Sequence, residues 1–348
     1  MDKRIYSEPP ETGNKYRRAY VDGLNCFTQK LAEESAQKRD VFFPRKGLSE
    51  KLEELRQKYL DAFGISRIPS CNLSKVQQEF VAEDDVCKIY RITIPVAEVI
   101  PFYGILMIPH NVKFPAPLVI AQHGGNGTPE LCSDFHGKNN YNHMVQRLLS
   151  RGAIVFAPQI LLWRTENPTE TGPAYEVPYE RRDLDTELNR FGITLPGLQI
   201  ASISRAIDWL VTLPETDENK IGMIGLSYGG FYTLYTTAAD TRIRAAYACC
   251  AFTDRDKYPW YDMICPDSGN TFRDAEVAAL CAPRKLYVSM GTKDQVFDYR
   301  HSLPEGERAK RYFAAMGLED HFVFDVWEGG HTVKSTDEGY DFLFDGLK

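Results

Sequence analysis

The chain has 348 residues, 43% of them hydrophobic and 26% charged, which is enough apolar material for one large domain or two smaller ones. Its 41 Lys and Arg stand against 48 Asp and Glu, and the net charge of −7 offers no concentrated basic surface of the kind that binds nucleic acid. Residues 1–18, MDKRIYSEPPETGNKYRR, contain no apolar h-region, and no stretch has the length of a membrane span, so the expectation is a soluble, cytoplasmic protein with no membrane partner.

The 8 cysteines are irregularly spaced and lack paired CxxC motifs, which argues against a zinc site or a disulfide framework and for a reducing compartment. Cys249 and Cys250 fall inside the apolar run AAYACCAF and read as small buried thiols.

Residues 1–14 carry Pro9, Pro10 and Gly13 among polar neighbours and read as a loose arm. Two helices are predicted next, over 15–38 and 48–63; in the second, Leu52, Leu55, Tyr59 and Phe63 recur at spacings of three and four, with Ser49 near its start and Gly64 at its end. This divides the chain into an arm and helical extension over 1–66 and a larger domain over 67–348. From Phe80 the period shortens. Residues 80–94, 99–108 and 118–122 read as three successive strands, the last running into His123-Gly124-Gly125.

Strands and helices then alternate: a helix near 140–150, a strand at 153–157, a helix at 198–213, a strand at 220–226 and a helix from Phe231 to Ala239. Strands at 243–252, 285–290 and 322–327 follow, with helices over 305–316 and 336–347. Such alternation predicts an α/β fold, a mostly parallel sheet of about eight strands covered by helices on both faces. Two insertions interrupt it, near 158–196 and 253–274. Both follow predicted strands and are therefore expected to overhang the carboxyl edge of the sheet, where open α/β sheets bind ligands.

The stretch that carries chemistry is IGMIGLSYGGF at 221–231, containing the G-x-S-x-G arrangement of Gly225, Ser227 and Gly229 between a strand and a helix. In that context the glycines permit a tight turn and the serine hydroxyl is presented at the strand's end. A serine needs a base, and the base needs an orienting acid. Asp294 closes the strand LYVSMGTKD, and His331 follows FVFDVWEGG, so both fall at the same sheet edge in the order Ser, Asp, His. Asp298 is the alternative acid, while Asp325 lies within a strand. His123 opens HGGNG after a strand and is assigned a structural role in shaping that loop.

The segments HGGNG at 123–127, GLSYGG at 225–230, APRKLYVSMGTKD at 282–294 and GGH at 329–331 together resemble the α/β-hydrolase superfamily. Within it, they are similar to the branch of dienelactone-hydrolase-like, acetyl-xylan-esterase-like and prolyl-oligopeptidase-like serine hydrolases. The resemblance runs from Phe80 onward. It implies an α/β-hydrolase fold with Ser227 as nucleophile, Asp294 as acid and His331 as base. The backbone N–H groups of Gly125 and Tyr228 are the implied oxyanion hole, with Gly124 the weaker candidate. Dienelactone hydrolases carry cysteine at the nucleophile position, so Ser227 points toward the esterase members. The implied reaction is carboxylic ester hydrolysis through an acyl-enzyme, with short acyl groups or acetylated carbohydrate as substrates and neither metal nor organic cofactor. Trp163, Arg164, Trp260 and Tyr261 in the insertions are candidate substrate contacts. A peptidase or amidase, or a binding protein without turnover, are the competing readings. The expected partner is a small-molecule ester, and the sequence is compatible with a homo-oligomer.

Overall fold

Leu118 to Ala121 alternate between two hydrophobic cores. Leu118 and Ile120 face one and Val119 and Ala121 the other, all fully buried. A strand whose successive side chains enter opposite cores must lie between two layers of helices. The computed structural model describes residues 6–135, 137, 139–161, 177 and 179–348.

Among these residues the sheet has nine strands: β1 (Gln77–Glu83), β2 (Cys87–Val96), β3 (Ile100–Pro109), β4 (Ala116–Gln122), β5 (Ile154–Pro158), β6 (Thr216–Leu226), β7 (Ile243–Cys249), β8 (Lys285–Gly291) and β9 (Phe322–Trp327). Their spatial order is β1-β2-β3-β5-β4-β6-β7-β8-β9. The first four in that order are joined by antiparallel pairings, and every neighbour pair from β5 to β9 is parallel. The predicted strand at 80–94 is in fact two, β1 and β2. Its chain reverses where the Asp84 carboxylate accepts the N–H groups of Val86 and Cys87, an Asx turn that alternation alone does not reveal. That split supplies the ninth strand.

One core is covered by α2 (Leu48–Phe63), α6 (Leu195–Leu210), α7 (Tyr228–Ala239), α8 (Asp274–Leu280) and α9 (Tyr299–Ala315). The other is covered by α4 (Met144–Leu149) and α10 (Glu338–Asp345), with Cys132 of the short α3 (Pro129–Cys132). The insertion at 158–196 contains α5 (Arg181–Asn189). Helix α9 begins six residues before the predicted 305. Asp298 caps it by accepting the Arg300 N–H, and the helix runs through Pro304.

The two N-terminal helices differ sharply. Helix α1 (Asn14–Phe42) has only Ser35 and Arg39 buried, whereas α2 buries Leu48, Leu52, Leu55, Tyr59 and Phe63 in the main core. Tyr59 packs on Phe63, Tyr235 and Phe272, and its hydroxyl donates to the Tyr235 carbonyl. Gly64 ends α2 at φ 73°, and Thr194, which caps α6, donates both its N–H and its hydroxyl to the Phe63 carbonyl.

Because Tyr59 is wholly enclosed, Tyr59→Ala is expected to cost about 3–5 kcal/mol, the range for large aromatic truncations. Urea denaturation measures it. A loss below about 1 kcal/mol would mean that α2 is dispensable to the core.

Candidate active site

The strand order reverses between β4 and β6. Successive connections leave in opposite directions there, and a crevice opens beyond the strands' carboxyl ends. The loop after β4 is His123 to Gly127, and the residue after β6 is Ser227. Both border a cavity of about 1000 Å³, together with Asn126, Asn139, Asn140, Arg182, Tyr228, Trp260, Tyr261 and His331.

Ser227 sits at φ 59° and ψ −121°, a conformation that costs a non-glycine residue on the order of 1–3 kcal/mol and persists only where its surroundings enforce it. Its N–H donates to the Cys249 carbonyl at 2.9 Å, which pins the turn to β7. The turn is also held by contacts too close for side chains. A Cβ on Gly229 would lie 2.1 Å from the Gln122 carbonyl oxygen, and one on Gly225 would lie 2.4 Å from the Gly229 backbone. The first turn of α7 therefore rests directly on the end of β4.

His331 Nδ1 lies 2.8 Å from Asp294 Oδ2, and the Asp294 side chain is wholly buried. Its other oxygen accepts the N–H groups of Val296 and Phe297 at 2.7 and 3.0 Å. Burial by itself would raise the Asp294 carboxyl. The bond and charge of His331 and the two N–H donors outweigh it, holding the group below the ordinary carboxylate value. Asp298 is turned to other work: it caps α9 and is paired with Arg300 at 2.5 Å. Asp325 binds the Tyr287 hydroxyl and Lys334, away from His331.

The loop bearing His331 is clamped from two sides. Gly291, at the end of β8, has no Cβ because one would lie 2.4 Å from the Gly329 carbonyl. On the other side, the Asn140 carbonyl accepts the Val333 N–H and the Thr332 hydroxyl, and Asn142 donates to Thr332 and Val333. Beneath it, Cys250 at φ 50° lies within sulfur hydrogen-bond distance of the Gly330 and Thr332 carbonyls. Cys250 Sγ, an Asp294 oxygen and a His331 nitrogen lie within 4.8 Å of one another, close enough for a metal. Asp294 and His331 already bind each other, and burial pushes the Cys250 thiol up, so this donor set suits proton handling better than metal ligation.

Two further features escape sequence reasoning. The Tyr228 hydroxyl donates to Asp262, whose other oxygen binds Arg181 at 2.8 Å, both partners of the ion pair being buried. This network ties the turn residue after Ser227 to both insertions. Trp260 stacks on Tyr228 at 5.9 Å and packs on Phe297, which in turn contacts His331. Tyr261 lies 5.0 Å from the Arg182 guanidinium. Trp163 and Arg164 lie outside the described residues. The Gly124 N–H is taken by the Tyr141 hydroxyl at 2.7 Å, while Gly125 lines the cavity with Ser227 and Tyr228.

Comparison with known proteins gives the class first: this is the α/β-hydrolase fold. The structure resembles an acetyl xylan esterase assigned in Bacteroides fragilis NCTC 9343, with TM-score 0.65, 14% identity and coverage of 85% of this chain and 82% of that one. It also resembles a glucuronoyl esterase from Solibacter usitatus (TM-score 0.60, 16% identity, 84% and 92% coverage) and acetyl xylan esterase 1 from Thermoanaerobacterium sp. JW/SL YS485 (0.54, 16%, 86% and 94%). More particularly, residues 195–334 match the model of the X-Pro dipeptidyl-peptidase (S15) family. A Bacillus subtilis (strain 168) protein named as a hydrolase, YtaP, is 26% identical over 114 residues; the match spans 30% of this chain and 38% of that protein.

His123 is fully buried. Its Nδ1 faces the Gly124 carbonyl at 2.7 Å, and its Nε2 accepts the Ile160 N–H at 3.1 Å, which fixes the Nδ1-protonated neutral tautomer. Burial lowers its pKa to about 4. A histidine so depressed contributes stability that is full above the unfolded value near 6.5 and is lost as pH falls toward 4, on the order of 3 kcal/mol in all. Wild type is therefore expected to lose more stability between these limits than His123→Asn. Parallel pH profiles in denaturant titrations would refute this.

Proposed function

We propose that the protein is a serine carboxylic ester hydrolase acting through an acyl-enzyme. The observation that carries this reading is the pairing of a strained Ser227 on a strand-to-helix turn with a buried Asp294–His331 couple, Ser227 and His331 bordering one cavity. With Nδ1 engaged by Asp294, the His331 ring presents Nε2 as the available base. It takes the hydroxyl proton as Ser227 Oγ attacks the ester carbonyl, and Asp294 holds the ring's orientation and stabilises its charge. The imidazolium returns the proton to the departing alcohol, and water repeats the cycle on the acyl-enzyme. Gly125 and Tyr228 N–H groups are assigned the oxyanion, each worth about 2.7–4 kcal/mol in the transition state. The Asp262–Arg181 pair positions Tyr228 for that role.

Acetylated carbohydrate is the favoured substrate class. Trp260 and Tyr261 offer ring faces, and Asn126, Asn139 and Asn140 offer amide groups suited to sugar hydroxyls. The relatives named for acetyl xylan esterase activity support the same reading. The S15 family match favours a second reading, cleavage of a peptide bond after a short N-terminal segment. Among the described residues the cavity lining contains no carboxylate to hold an α-ammonium group, which supports the ester.

Ser227→Ala is expected to abolish hydrolysis of p-nitrophenyl acetate with an unchanged unfolding midpoint. Asp294→Asn should lower kcat by about 10⁴-fold, while Asp298→Asn leaves it within about threefold. The reverse ranking would move the acid to Asp298. A dipeptidyl anilide cleaved faster than any acetyl ester would transfer the assignment to the peptidase.

The two insertions also limit acyl length, since Arg182 of one and Trp260 and Tyr261 of the other line the cavity. Acetyl and propionyl esters are expected to exceed octanoyl esters in kcat/KM, since each added methylene gains at most about 1–3 kcal/mol even in a fitting apolar pocket. A specificity constant rising steadily to long chains would contradict a limit set by the insertions.

A further inference from the structure

Helix α1 stands apart from the rest of the molecule. From Asn14 to Leu31 every residue is exposed, and among the described residues the helix is anchored to the rest of the molecule by its last turns. There, Arg39 donates to the Gly269 carbonyl at 2.6 Å, and Ser35 lies 3.4 Å from Arg273. Yet this projecting segment is not a polar helix. Tyr20, Leu24, Phe27 and Leu31 recur at spacings of four, three and four and are 71, 45, 58 and 43% exposed. Alternation of three and four is the seam of a two-helix coiled coil, and a contiguous apolar row of this kind in water calls for a cover.

The seam continues by the same steps into a charge at each end, three residues before Tyr20 to Arg17 and three after Leu31 to Glu34. We infer that α1 pairs antiparallel with α1 of a second copy of this chain, Leu24 facing Phe27, Tyr20 facing Leu31 and Arg17 facing Glu34, each contact made twice about a twofold axis between Asn25 and Cys26. The charges select both orientation and occupant. A parallel pair would set Arg17 on Arg17 and Glu34 on Glu34, whereas the antiparallel register converts both repulsions into ion pairs. Both halves of the complementary surface are carried by one helix, which is the property of an isologous twofold interface. Arg17 donates to the Pro10 carbonyl and Asn14 through one nitrogen and has further N–H donors for Glu34. The seam from Arg17 to Glu34 is about 27 Å long.

Sedimentation velocity on the full chain across about 1–100 μM tests this. The expected result is a reversible dimer. Leu24→Glu with Phe27→Glu is expected to yield monomers with unchanged circular dichroism and esterase rate, since both side chains are exposed in the single chain. Arg17→Glu and Glu34→Arg are each expected to weaken the dimer at least about tenfold, or 1.4 kcal/mol, and their combination to return it to within about threefold of wild type. A wild type that stays monomeric at the highest concentration overturns the inference. So does a Leu24→Glu/Phe27→Glu dimer, or a charge-swapped pair as weak as the single variants.

Discussion

The edge that carries the candidate active site depends on one close approach, the contact of the first turn of α7 with the end of β4 across Gly229 and Gly225. Were a methyl group present at Gly229, it would lie 2.1 Å from the Gln122 carbonyl, and helix and strand would have to part. With the gap closed, Ser227 is forced to φ 59° and its backbone N–H meets the Cys249 carbonyl. The loop at 123–127 is brought against the same turn. The strain at the serine is thus enforced by the packing of the two halves of the sheet, and the cavity lies where those halves diverge.

Burial sets the electrostatic character of this edge. Carboxylates taken out of water are tolerable only when paired and hydrogen-bonded. Asp294 meets that condition through His331 and two backbone N–H groups, and Asp262 through Arg181 and Tyr228. Asp274 does so through Arg255, the Tyr235 hydroxyl and the Thr253 N–H. The last two hold the insertion at 253–274 at its tip and at its base. The aromatic wall of Trp260 and Tyr261 is consequently carried on a tethered loop, and its tether is the residue that follows the serine.

The parallel half of the sheet was legible because its strands are short apolar runs separated by helical stretches. Ser227, Asp294 and His331 stand out because each follows the carboxyl end of a strand, and parallel strands end at one edge. The hairpin at Asp84 was not legible, because the chain reverses there through a carboxylate–backbone contact within an otherwise alternating stretch. Nor was the beginning of α9, where the Asp298 cap prevails over Pro304. The Asn140–Asn142 clamp, Cys250 and the Asp262–Arg181 pair left no local pattern at all. They join residues far apart in the chain, and periodicity within a window is blind to such contacts.

The clamp on the His331 loop has a temporal meaning. Its bonds from Asn140 and Asn142 to Thr332 and Val333 bridge about 190 residues, and closing a loop of that length costs more entropy than closing a shorter one. The serine turn, by contrast, needs only β4, β6 and β7, which follow one another with shorter separations. A chain that closes its shorter loops first would set the Ser227 turn before the His331 loop is clamped. On the mechanism proposed for Ser227 and His331, such a half-built molecule would be chemically quiet.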